Sequence, residues 1–291
     1  MSEQDRYIPG VPCWVDTNQP DPEAAVAFYG GLFGWDFEDV TPPGAPVKYF
    51  LASLRGGPVA GVASQPQGTQ AAVAWDTYVW VEDADEIAAK VRAAGGSVLS
   101  EPADVGESGR TAVCADLEGA AFCLWQAREH RGAGIVNEPG SLNFNDLNTR
   151  DVDGARAFYE AVFGWELLDL GGGYAWALPG YGDFLERRNP GMRAGMADMG
   201  APERFEDVVA SVRSLSDDTP AHWGVTFAVD DADAIAARAT ELGGRVIAGP
   251  FDAPWVRMTV IADPQGATFT ASKFAPENRS AAAPDSAAPG A

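Results

Sequence analysis

Histidine, cysteine and basic side chains are scarce in this chain. It has 2 histidines (His130 and His222) and 3 cysteines (Cys13, Cys114 and Cys123), and 20 Lys and Arg stand against 42 Asp and Glu, a formal charge of −22. Such a charge repels nucleic acid and anionic lipid, so neither is an expected partner. Three cysteines build no disulfide framework and read as small buried hydrophobes in a reducing compartment; Cys114 and Cys123, near each other around one hairpin, leave a single bridge open. A 2-His-1-carboxylate metal site would need both histidines. No apolar run approaches the roughly 18 residues of a membrane span. The opening "MSEQDRYIPGVPCW" shows neither a basic n-region nor an apolar h-region, so a cytoplasmic protein is expected. There is no G-x-S-x-G elbow, no P-loop and no G-x-G-x-x-G after a strand; the "GGG" at 171–173 precedes no helix and reads as a turn. What remains as expected partner is a small molecule, bound by a monomer or homodimer without a nucleotide cofactor.

What the chain has is a repeated phrase. "FYGGLFGW" at 28–35 returns as "FYEAVFGW" at 158–165, and the match extends back over "CWVDTNQPDPEAAVAFYGGLFGW" and "NFNDLNTRDVDGARAFYEAVFGW" without a gap. Further on, "VEDADEIAAKVRAAGG" (81–96) lies over "VDDADAIAARATELGG" (229–244), and "DLEGAAF" (116–122) over "DPQGATF" (263–269). The spacing grows from 130 to 148, so the second half carries 18 extra residues. They are placed at about 185–220, where "PERFEDVVASVRSL" reads as an added helix. Self-similarity on this scale is a domain duplication.

Each half repeats weakly within itself as strand, helix, then further strands. Asp21 caps a helix with Pro22 at its first position. Ala25, Phe28, Tyr29 and Leu32 then share one helical face, as do Ala155, Phe158, Tyr159 and Val162. Gly34 suits the C-cap. Asp83 and Asp231 cap second helices, which Gly95-Gly96 and Gly243-Gly244 stop. "WDTYVWVED" and "HWGVTFAVDD" alternate as half-buried strands, and "DLEG" and "DPQG" are turns. The order is βαβββ, four times.

A tandem βαβββ chain with the phrases "PCWVD…D…A..FY..LFGW", "VEDAD", "LWQA", "VNEPG" and "HWGVTFAVDDADA" resembles the vicinal-oxygen-chelate superfamily, the glyoxalase/bleomycin-resistance/dioxygenase group. It looks most like the actinobacterial two-domain members labelled glyoxalase-like or hydroxylase. The resemblance implies an α+β fold: four βαβββ modules in two tandem glyoxalase-like domains, with curled mixed sheets around cavities. The domains are expected at 8–126 and 141–274, with a linker at 127–140 and a disordered tail at 275–291. Metal-using members of the group place His or Gln on a module's first strand and Glu on its last. The first-strand slots fall near Trp14, Asp76, Phe144 and Gly224, and the last-strand slots near Cys123 and Thr270. None is His and neither last-strand slot is Glu, so no conventional metal triad is expected.

Strand alternation puts Trp14 with Asp16 on one face and Phe144 with Asp146 on another. Asp16, Asp146 and His222 are the candidate acid–base residues; a carboxyl in an aromatic-walled cavity tends toward a raised pKa. Their bland alternatives are backbone hydrogen bonding or solvent exposure. Trp14, Phe144, Asp76, Tyr78, Trp80 and Trp223 are candidate ligand contacts, with ordinary core packing as the alternative. His130 reads as a surface residue of the linker. The functional expectation is a small-molecule enzyme, lyase-, isomerase- or hydroxylase-like, acting on an oxygenated or aromatic metabolite by acid–base chemistry. Sequestration of a hydrophobic or aromatic compound without metal is the second reading, and a metal-dependent glyoxalase or dioxygenase the third.

Overall fold

The computed structural model describes residues 6–65, 72–170, 173–216 and 218–281. The first half runs β1 (Pro12–Gln19), α1 (Pro22–Phe33), β2 (Asp36–Asp39), β3 (Tyr49–Leu54) and β4 (Gly57–Ser64). It continues with β5 (Trp75–Trp80), α2 (Ala84–Ala93), β6 (Ser97–Val105), β7 (Gly109–Ala115) and β8 (Ala121–Ala127). The second half opens with β9 (Leu142–Thr149), α3 (Val152–Phe163), β10 (Glu166–Asp169) and β11 (Tyr174–Ala177). Two helices follow, α4 (Tyr181–Arg188) and α5 (Met192–Met199), before β12 (Val208–Ser214). It ends with β13 (His222–Ala228), α6 (Ala232–Glu241), β14 (Arg245–Ala253), β15 (Val256–Ala262) and β16 (Thr268–Phe274). The class is α+β, with two mixed eight-stranded sheets ordered β2-β3-β4-β1-β5-β8-β7-β6 and β10-β11-β12-β9-β13-β16-β15-β14. Neither closes into a barrel. Among the described residues no helix is long and apolar enough to cross a membrane.

Local chemistry starts and stops the helices where the sequence marks them. The carboxylates of Asp21, Asp83, Asp151 and Asp231 each accept a backbone N–H of the first turn, and Pro22 occupies the first helical position of α1. Gly34 and Gly164 end α1 and α3 in the left-handed region, at φ 71° and 72°. The apolar slots of both helices are buried as the spacing predicts: Ala25, Phe28, Tyr29 and Leu32, and Ala155, Phe158, Tyr159 and Val162.

The chain forms two compact units, and each combines one module from each half. The first takes the residues up to Cys13, with Tyr78–Arg131 and Asn145–Trp223; the second takes Trp14–Thr77, Gly132–Phe144 and the residues from Gly224 onward. In the second unit the Tyr29 hydroxyl donates to Asp263 Oδ2 (2.9 Å) and accepts from Trp75 Nε1 (3.1 Å), while Gln19 Nε2 donates to the same carboxylate (2.8 Å). In the first unit the Tyr159 hydroxyl donates to Asp116 Oδ2 (3.0 Å) and accepts from Trp223 Nε1 (2.9 Å). The other oxygens of Asp263 and Asp116 accept backbone N–H groups of their own turns. The acid of each D-x-x-G turn therefore shapes a hairpin and receives a phenol from a helix of the other half. Buried hydrogen bonds to a carboxylate contribute about 1.5–3 kcal/mol each. The tryptophans of the repeated phrase complete these cores: Trp35 Nε1 donates to Gly140 O (2.7 Å) and Trp165 Nε1 to Gly10 O (2.8 Å).

The second-half addition is not the helix expected over "PERFEDVVASVRSL". Phe205–Asp207 is one 3-10 turn and Val208–Ser214 is strand β12, while the added helices are α4 and α5. Phe205, Val208, Val209 and Val212 carry a helical spacing, but the valine-rich run pairs with β9 on one side and β11 on the other. Pairing on both edges overrides a seven-residue pattern. No bridge joins Cys114 and Cys123: Cys114 lies opposite Phe122 and Cys123 opposite Val113, and all three cysteines are buried and outside any disulfide. Of the tail, Pro276–Asn278 form a 3-10 turn anchored by the Asn278 amide on Asp252 (2.9 Å); residues 282–291 lie outside the described residues.

Candidate functional site

Strand β1 divides its side chains between two faces. Val15 belongs to the core with Phe28 and Tyr29, and Gln19 reaches Asp263. Trp14, Asp16 and Asn18 alternate to the opposite face. There the Trp14 indole donates to the Tyr49 hydroxyl (3.1 Å), and that hydroxyl donates to Asp16 Oδ2 (3.0 Å). One residue pair along, the Asn18 amide donates to Asp76 Oδ2 (2.9 Å). Trp14 and Asp16 are buried, at 2% and 4% exposure, whereas Tyr49 and Asp76 are half-buried. Five side chains from β1, β3 and β5 thus form one polar and aromatic cluster inside the second unit.

Gly61 makes the cluster possible. It lies opposite Asp16 in the parallel pairing of β1 with β4. A Cβ there would stand 2.1 Å from the Tyr49 hydroxyl and 2.9 Å from Asp16 Cβ, so any side chain would displace the phenol. Neither Tyr49 nor Gly61 stands out in the sequence, because neither recurs in the second half.

Asp76 carries the clearest electrostatic signature. Burial pushes its carboxyl up, against the Asn18 hydrogen bond that pulls it down, and the balance lies at about 6. A carboxyl with this value exchanges a proton readily near neutral pH. Of the six positions to which the resemblance points for ligands, Asp76 alone is an acid.

The second-half counterpart is built differently. Asp146 is buried on β9, its Oδ1 accepting from the Ser211 hydroxyl with the Arg213 guanidinium 3.7 Å away. Phe144 is half-buried on the same strand. His222 is exposed, its Nδ1 2.9 Å from the Pro220 carbonyl, and its ring is not brought to the Asp146 carboxylate. Trp223 faces α3 and sits in the core beneath Tyr159. In the first unit Tyr78 packs edge-on against Trp125, and Trp80 stacks on Tyr7 at 5.9 Å. His130 is half-buried, its ring edge-on to Trp125, and burial pushes it down to about 4.

Two family models match the chain. One, the glyoxalase/bleomycin resistance protein/dioxygenase superfamily, covers residues 141–270; the other, a glyoxalase-like domain, covers 14–125. The chain belongs to this superfamily. It is 40% identical over 282 residues, 95% of this chain and 100% of the other, to "Putative glyoxylase CFP32" of Mycobacterium bovis. It is 37% identical over 278 residues, 91% of this chain and 94% of the other, to the anthracycline biosynthesis protein DnrV of Streptomyces peucetius. The fold is similar to that of the Mn(II)-bound glyoxalase from Novosphingobium aromaticivorans, with TM-score 0.58, 16% identity, and 91% and 83% of the two chains covered. The 2,3-dioxygenase LapB from Pseudomonas sp. KL28 gives TM-score 0.58 at 13% identity over 92% and 93%. At these identities the structural likeness concerns the fold alone.

The superfamily implies a divalent ion in many members, and the donors here do not fit one. The positions to which the resemblance points hold Trp14, Asp76, Phe144, Gly224, Cys123 and Thr270. Among the described residues no group of three or more His, Cys, Asp or Glu side chains gathers as an ion requires.

Proposed function

We propose that the chain is a small-molecule enzyme that moves protons on an oxygenated, aromatic metabolite, and that the first-half cluster is its reacting site. The observation that carries this reading is Asp76, held by Asn18 with its carboxyl near 6 beside the Trp14–Tyr49–Asp16 chain. Asp76 takes a proton from the bound compound and returns it, and Asn18 fixes the orientation of its carboxylate. Asp16 and the Trp14 indole together hold the Tyr49 hydroxyl. The name of DnrV supports the ligand class, since anthracyclines are fused-ring aromatics bearing hydroxyl and keto groups.

The test is turnover of hydroxylated polycyclic ketones, followed by mass spectrometry and by hydrogen–deuterium exchange into the compound. Asp76→Asn should lower the rate by about 10²–10⁴, the usual worth of a positioned acid–base group. Wild-type rate should rise with pH through about 6 as the carboxylate forms. Chelation should leave the rate unchanged. A stoichiometric metal whose removal abolishes turnover would overturn the proton-transfer account. Binding without any turnover, unaltered by Asp76→Asn, would make the chain a sequestering protein.

A further inference from the structure

We infer that Tyr49, seated over Gly61, is the ligand-contacting hydroxyl of the first half, that it recognises a hydroxyl group on a planar ligand, and that the second half has no such site. This deepens the reading of the first-half cluster as the reacting site and rests on it. The argument starts from exposure. Asp16 and Trp14 are buried behind hydrogen bonds to one phenol, and that phenol is half-buried. A ligand on this face therefore meets Tyr49 before it meets Asp16. A phenolic oxygen both donates and accepts. The indole N–H donates to this oxygen and the Asp16 carboxylate takes its proton, so the hydroxyl is held in one orientation and meets a ligand hydroxyl as an acceptor. Asp16 acts through Tyr49 as a positioning residue.

Strand register shows what the second half has lost. Asp16 lies opposite Gly61 and Thr17 opposite Val62; Asp146 lies opposite Ser211 and Leu147 opposite Val212. Ser211 is thus the counterpart of Gly61. On the next strand Phe50 pairs with Val62 and Tyr174 with Val212, which makes Gly173 the counterpart of Tyr49. The phenol is absent there, and the space that Gly61 leaves open is filled by a serine whose hydroxyl is bonded to Asp146. The Arg213 guanidinium stands beside the same carboxylate, where the first half has Ala63. The duplicated acid is engaged by its own strand neighbours, and the halves have diverged at the residues that would meet a ligand.

The experiment uses the full chain and two probes of one shape, 2,6-dihydroxyanthraquinone and 2,6-dimethoxyanthraquinone, the second having no hydroxyl to donate. Binding is measured by visible absorbance and calorimetry for wild type, Tyr49→Phe, Gly61→Ser and Asp146→Asn. The expected result is one dihydroxy probe per chain, preferred over the dimethoxy probe by about tenfold or more. Tyr49→Phe should erase the preference, and Gly61→Ser should do the same by displacing the phenol. Asp146→Asn should leave stoichiometry and preference unchanged. Two equivalent sites, no binding of the dihydroxy probe by wild type, or a preference that survives Tyr49→Phe would each overturn the inference. If the preference depends on Tyr49 while Asp76→Asn keeps full turnover, the proton-transfer reading fails and the recognition inference stands. The reverse pattern sinks the inference alone.

Discussion

The Asn18 amide donates to Asp76, and this bond is set against the cost of burying the charge. Its folded-state value of about 6 lies above the ordinary aspartate value of about 3.9. The native state then holds this proton more tightly than the unfolded chain does. Stability from this group is fully present below about pH 4 and is lost as pH rises through about 6. Asp76→Asn should accordingly melt higher than wild type at pH 7.5, with the difference vanishing near pH 4, while turnover falls. Thermal melts at the two pH values check this. A variant less stable at pH 7.5 would show the carboxylate to be structural. The sequence offered Asp16 and Asp76 as separate candidates on alternating strands, and alternation does put Trp14, Asp16 and Asn18 on one face. It missed Tyr49, because a search for repeated residues favours those present twice, and Gly173 stands in its place in the other half. The Asn18–Asp76 bond joins residues 58 apart, a distance that local pattern does not encode.

At the scale of elements, caps and turns were legible because each depends on neighbours in sequence: Asp21 with Ala24, Asp231 with Ala234, Gly34 with Gly30. The stretch around Val208–Val212 was misread because its spacing suits a helix and only long-range pairing makes it a strand. The approach to α3 shows a second long-range device. Glu118 accepts from the Thr149 hydroxyl, from the backbone N–H groups of Arg150 and Asp151, and from the Arg150 guanidinium. Burial raises its pKa, yet these bonds outweigh burial and hold it at about 2. That is below the ordinary glutamate value of about 4.3. Its contribution is present above pH 4.3 and is lost as pH falls toward 2. In the other half the equivalent clamp on Asp21 is the neutral Gln265. Glu118→Gln should flatten the loss of stability between pH 4.5 and 2, measured by denaturant melts. An unchanged acid profile would remove the clamp from the account.

For the whole molecule, the repeat announces two copies but not which modules share a core. Phe28 and Tyr29 present an apolar face and a phenol, and the D-x-x-G turn that receives the phenol belongs to the other half. A half expressed alone therefore lacks the turn that receives the phenol of its first helix. Residues 8–126 should not melt cooperatively as a monomer, whereas co-expression with residues 127–281 should restore a folded, one-to-one complex. Sedimentation and thermal melts of the fragments distinguish the outcomes, and a stable monomeric 8–126 would contradict the cross-half cores. The same composite build lets one copy of the site diverge: Gly61 and Tyr49 of the first half correspond in register to Ser211 and Gly173 of the second, while Tyr29 and Tyr159 keep both cores intact.

The central claim is that the first half holds a proton carrier tuned to neutral pH, and the most direct measurement of it needs no substrate. Carboxyl carbon signals of an aspartate-labelled chain, followed by nuclear magnetic resonance between pH 3 and 9, would give the midpoint of Asp76, with Asp76→Asn supplying the assignment. The account predicts a midpoint near 6. A midpoint at the ordinary aspartate value of about 3.9 would contradict it.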